Sequence, residues 1–183
     1  MLNAKAIPAL LALAAIASSA ATGRVSTAAA RTECGTAQLH YTPYPGGAPG
    51  LGQLPWVRGT SRGLGLVGLL WYWPTEWRDR QIDRAVIYPG GKAPGGPNMK
   101  ILWAFLSAKA KRAFTGGSLI VKGQRLDGPG KSWQQFGGIA YDGQNGAPSF
   151  ASIISLPSEG CWRLQLGAGG LHASVVFEAT SSP

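Results

Sequence analysis

From position 37 onward, apolar and polar residues alternate in short runs separated by clusters of Gly and Pro. The sharpest run places Met99, Ile101, Trp103 and Phe105 on one side of a two-residue repeat and Lys100 on the other, as a half-buried strand requires. The pattern predicts strands over 37–41, 56–60, 63–73, 84–88, 99–106, 118–125, 133–141, 149–156, 161–167 and 171–179. Breaks fall at 43–55, 90–97, 116–117, 127–130, 142–148 and 157–160. Two stretches read as helical. One is 75–84, with Pro74 before its first turn, Glu76 and Asp79 early and Arg84 late; the other is 107–113. Neither is long enough to alternate with strands in a βαβ unit. Short strands with turns at this spacing predict a mainly β fold, an antiparallel β-sandwich with few short helices.

The last two strands predict a hairpin. With Gly167-Ala168-Gly169-Gly170 as its loop, Leu166 sits opposite Leu171, Leu164 opposite Ala173 and Trp162 opposite Val175, all on one apolar face. Arg163 then pairs with Ser174 and Gln165 with His172 on a polar face. A slip of one residue would destroy both faces.

The first thirty residues differ in kind. Lys5 precedes the apolar run 9–17, and small residues follow at Ser18-Ser19-Ala20 and again at Ala28-Ala29-Ala30. A positive start, a short apolar middle and a small-residue exit predict a secretory signal over 1–30, cleaved near 20 or 30. The run is too short to span a bilayer, so no integral membrane span is expected after cleavage. Residues 31–183 are then a single domain, secreted or associated with the cell wall. Cys34 follows Arg31-Thr32-Glu33, the wrong surroundings for lipid attachment. Two cysteines, Cys34 and Cys161, most simply form one disulfide in an exported chain. Closing a loop on the order of 100 residues stabilises by about 4–5 kcal/mol in the chain-entropy model. The alternative is two separate buried thiols.

Composition narrows the partners. The chain is 45% apolar, holds seven Trp and is only 14% charged, which argues against disorder. Its 27 Gly and 13 Pro exclude a coiled coil or a long helical bundle. A formal charge of +9 admits an acidic partner. The basic residues are scattered, however, and the densest set is Lys109, Lys111 and Arg112, with no stripe of interleaved aromatics. No nucleic-acid partner is expected. An extracellular polysaccharide, an anionic wall polymer or a surface protein fits better.

Candidate chemistry is sparse. Gly63, Gly65 and Gly68 match the dinucleotide fingerprint, but a strand-like run follows them where a helix is needed, so they read as packing glycines and no cofactor is expected. His40 and His172 lack metal-ligand spacing, so no metal site is predicted. Asp79 and Asp83 lie among Arg78, Arg80 and Arg84, and Asp127 and Asp142 sit in turns. No catalytic residue is predicted. The aromatic set Trp71, Trp73 and Trp77 is the candidate ligand-binding group, since exposed aromatics beside polar groups take sugar rings or choline-like head groups. Its alternative role is to fill the core.

Two resemblances add to this. Ser158-Glu159-Gly160-Cys161-Trp162-Arg163-Leu164 resembles the catalytic motif of L,D-transpeptidases, which implies Cys161 as nucleophile and Arg163 in support. Trp162 stands where that family has an aliphatic residue, and no histidine lies between His40 and His172 to serve as base. The tail from Pro148 through Gly160-Cys161-Trp162-Arg163-Leu164-Gln165-Leu166 to Ser174-Val175-Val176-Phe177 resembles the closing hairpin of immunoglobulin-like modules of secreted bacterial proteins. That resemblance implies an immunoglobulin-like sandwich and brings no catalytic residues. The expected function is a non-catalytic module binding an extracellular partner. The alternative is a cell-wall-modifying cysteine enzyme of the transpeptidase kind.

Overall fold

The computed structural model describes residues 34–46, 54–71, 73–94, 96–138, 140–142 and 146–182. The expected signal over 1–30 lies outside them. The described chain forms strands β1 (Leu39–His40), β2 (Trp56–Arg58), β3 (Leu66–Trp71), β4 (Val86–Ile87), β5 (Lys100–Phe105) and β6 (Leu119–Arg125). They are followed by β7 (Lys131–Phe136), β8 (Ala140–Asp142), β9 (Ala147–Ile153), β10 (Gly160–Ala168) and β11 (Leu171–Ala179). Helices α1 (Thr75–Asp79) and α2 (Ala108–Ala113) are short.

The strands form two sheets, β1-β2-β3-β5-β9-β8 and β4-β11-β10-β6-β7. Pairing is antiparallel except where β4 runs parallel to β11. Taking β3, β5, β9 and β8 over β11, β10, β6 and β7 gives the A-B-E-D over G-F-C-C′ order of the immunoglobulin sandwich. Strands β1 and β2 extend the first sheet, and β4 adds to the far edge of the second. The expected mainly β, largely antiparallel sandwich is therefore what this chain forms.

Alternation explains the core. Met99, Ile101, Trp103 and Phe105 are all buried while Lys100 is exposed, as the two-residue repeat requires. Trp103 of the first sheet meets Phe177 of the second edge to face, with ring centres 6.3 Å apart. Its indole Nε1–H donates to the buried Ser152 hydroxyl at 2.8 Å, so the ring's polar handle is satisfied inside the core. The neighbouring strand makes room for it with Gly68, paired directly with Trp103. A Cβ there would lie 2.6 Å from the indole. Gly63 and Gly65 thus turn the chain into β3 at positive φ, and Gly68 is a packing glycine within the strand.

Several boundaries differ from expectation. The terminal hairpin has a two-residue loop, Gly169-Gly170, and pairs Ala168 with Leu171, Leu166 with Ala173, Leu164 with Val175 and Trp162 with Phe177. Both loop glycines have positive φ, 42° and 85°, as the tightest hairpin turns demand. The expected register was off by two residues. An even shift preserves both faces, so Trp162, Leu164 and Leu166 still point inward, and His172 now lies opposite Gly167 rather than Gln165. The single strand expected over 133–141 is two strands in different sheets, β7 and β8, separated where Gly138 takes φ of 79°.

The helix expected over 75–84 stops at Asp79. Gln81 turns left-handed at φ 52°, and Ile82 and Gln81 donate their N–H groups to the carbonyls of Trp77 and Arg78. That is a Schellman closure, with buried Ile82 and Trp77 as its apolar contact. In α2, the Ser107 hydroxyl caps the helix by accepting from the Ala110 N–H at 3.0 Å.

Candidate functional site

The two sheets treat their outer faces differently. On the first sheet, Trp56, Val67, Leu69 and Ala104 are buried together with Tyr44 from the chain after β1, so that face is largely covered. On the second sheet, every other residue of β6, β7, β10 and β11 faces outward in register. One row runs Trp133, Lys122, Gln165, Ser174. The next runs Lys131, Gln124, Arg163, Val176, and the third Gln135, Ile120, Gly167, His172. Neighbours within a row stand about 4.8 Å apart, and rows about 6.8 Å apart.

Trp133 is 60% exposed, more than any other large hydrophobic side chain among the described residues. It borders a shallow groove of about 530 Å³ with Lys122, Gln124, Lys131 and Gln165, Gly123 and Ser132 lying between them. Sequence dictates this exposure. In β7 the outward positions are Lys131, Trp133 and Gln135, so the ring shares a strand face with two polar residues and cannot turn inward without sending them into the core. The inward side of the strand is anchored by Gln134. Its amide donates to the Ser155 carbonyl and accepts from the Ser155 N–H, both at 2.8 Å, tying edge strand β7 to the chain beyond β9.

Charge on this face is one-sided. Lys122, Lys131 and Arg163 are exposed, and among the described residues no carboxylate lines the groove. Glu178, further along the face, accepts from Arg84 at 2.7 Å. At the β6–β7 turn, Asp127 accepts from Arg125 at 2.7 Å. Desolvation pushes its carboxyl up, but the Arg125 guanidinium and the Cys161 N–H outweigh this and hold its pKa below the usual value.

The sequence-predicted residues fall elsewhere. Trp73 and Trp77 are buried, packed edge to face with ring centres 4.9 Å apart, and Trp77 also lies 4.5 Å from Tyr88. Trp71 is half-buried at the end of β3, with the Lys100 ammonium 6.0 Å from its ring. These three do not form one exposed platform. Trp133 stands alone in the sequence, whereas Trp71, Trp73 and Trp77 are clustered. The signal that finds it is its strand parity, shared with Lys131 and Gln135.

Cys34 and Cys161 form the expected disulfide, with Cα atoms 5.4 Å apart and 127 residues between them in sequence. It joins the N-terminal segment to the start of β10, so Cys161 carries no thiol in this state. His40 stacks on Trp56 at 4.2 Å, and His172 is exposed. Among the described residues no three His, Cys, Asp or Glu side chains gather as metal ligands, and no helix is long and apolar enough to cross a membrane.

Comparison with family models, with curated proteins and with solved structures finds no match to this chain. The likeness to the immunoglobulin sandwich rests on strand order.

Proposed function

We propose that this chain is an extracellular, non-catalytic module of the immunoglobulin-like kind found in secreted bacterial proteins, and that it binds polysaccharide on the outer face of β6, β7 and β10. The observation that carries the reading is the exposed Trp133 ring set among Gln124, Gln135 and Gln165. An indole face offers a flat apolar surface to the C–H face of a sugar ring, and side-chain amides both donate to and accept from sugar hydroxyls. A rigid ring on a strand loses little conformational entropy when it is covered. The disulfide supports an oxidising compartment. The signal pattern over 1–30 belongs to the same reading. Acting as a nucleophile would require Cys161 to be released from Cys34 first.

Retention on insoluble cell-wall polysaccharide tests this. The native chain is expected in the bound fraction, Trp133→Ala in the supernatant, and Trp71→Ala bound like the native chain. Equal retention of the native chain and Trp133→Ala would remove the reading.

A further inference from the structure

Resting on that reading, we infer that the polysaccharide is acidic, with carboxylates borne on its sugar rings, and that Lys122, Lys131 and Arg163 recognise them beside the ring stacked on Trp133. Lys122 is the direct cross-strand neighbour of Trp133. Lys131 lies two residues before Trp133 on the same face, about 6.8 Å along the strand. Arg163 shares the row of Lys131 across Gln124, two strand spacings or about 9.6 Å away. Lys122 and Lys131 thus line the groove beside the indole, Arg163 stands on the same face across Gln124, and no carboxylate lines the groove among the described residues. Their mutual repulsion is relieved by an anionic ligand, and their field draws one in.

The chemistry favours carboxylate on a sugar over other anions. Stacking on one indole calls for a ring, and the cations stand close enough to engage acid groups on that ring and its neighbour. The planar fork of Arg163 suits a bidentate carboxylate. A single aromatic offers no succession of stacking platforms for the bases of a nucleic acid.

The test is affinity electrophoresis of the full chain through gels containing polygalacturonate, its fully methyl-esterified form, or wall teichoic acid, at low and high salt. The esterified polymer keeps the sugar backbone and removes the charge. Polygalacturonate is expected to bind at least about tenfold more tightly than the ester, and this advantage should shrink with salt. The double variant Lys122→Gln/Lys131→Gln should lose about tenfold on the acid and keep its affinity for the ester. Trp133→Ala should lose both polymers. Equal affinity of the native chain for acid and ester, or no binding to either, would overturn the inference. Tighter binding of teichoic acid than of polygalacturonate would also overturn it, by assigning the cations to phosphate. Acid binding that needs the lysines while Trp133→Ala binds normally would instead overturn the stacking reading beneath it. Unchanged melting temperatures of the variants confirm that each loss is local.

Discussion

Single residues here carry opposite burdens depending on which side of a strand they occupy. Trp103 and Trp133 are the same side chain on alternating strands, one buried with its N–H satisfied and the other turned to solvent. The buried ring leaves no slack opposite it. Gly68→Ala would push a methyl against Trp103, and overpacking of this kind costs about 1–3 kcal/mol. A urea titration should show the unfolding free energy falling by that amount, through a lower midpoint at unchanged slope. Asp127 carries a pH effect. Its native pKa is depressed, so its contribution to stability is fully present above the unfolded carboxylate pKa of about 3.9 and is lost as pH falls through the lower native value. Thermal melts from neutral pH downward should therefore fall less steeply for Asp127→Asn over that acid range than for the native protein. An identical pH profile would contradict the pairing with Arg125. Burial of single residues was readable wherever alternation was clean, as in β5. It was not readable for Trp73 and Trp77, because their surroundings come from elements distant in sequence.

Elements differ in how far the local pattern determines them. Strand β11 matched its expected bounds, since its apolar positions repeat every second residue up to a glycine turn. Its pairing with β10 was legible in face but not in register, because parity survives a shift of two and only the turn geometry settles the rest. The turn is also packed. At Gly169 a side chain would meet the carbonyl of Gly116 and the ring of Phe114. Asn at this first loop position is ordinarily a favourable choice for such hairpins. Here Gly169→Asn should destabilise the protein by about 1–3 kcal/mol in chemical denaturation, as overpacking does elsewhere. A neutral or stabilising result would contradict the observed contact with the chain after α2. The split between β7 and β8 escaped the sequence pattern because two glycines permit a change of sheet without requiring one.

At the scale of the whole molecule, the segment before β1 and the two sheets are tied together through β10 and β11. Ala37 donates to the Val176 carbonyl, and Thr60 and Ser174 exchange N–H···O bonds at 2.8 and 2.9 Å. The disulfide adds a covalent tie from the segment before β1 to β10. Cys34→Ser/Cys161→Ser should lower stability by about 2–5 kcal/mol while preserving the far-ultraviolet signature of the sheets. A loss of the fold in water would mean that the core is weaker than its packing indicates. The sandwich class and the bridge were legible because hydrophobic period and cysteine pairing are properties of the whole chain. The proposed binding face was not, because it takes residues from β6, β7 and β10 and exists only once three strands are in register.

Ligand is proposed to lie on this outer face of β6, β7 and β10. A two-dimensional ¹H–¹⁵N spectrum of the native chain, titrated with soluble polygalacturonate oligosaccharide, tests it most directly. With ligand there, the Trp133 indole N–H and the backbone amides of Lys122, Lys131, Arg163 and Gln165 are expected to shift together and saturably, while the Trp71 and Trp103 indole signals stay in place. Shifts centred on Trp71 and Lys100, with Trp133 unmoved through saturation, would contradict it.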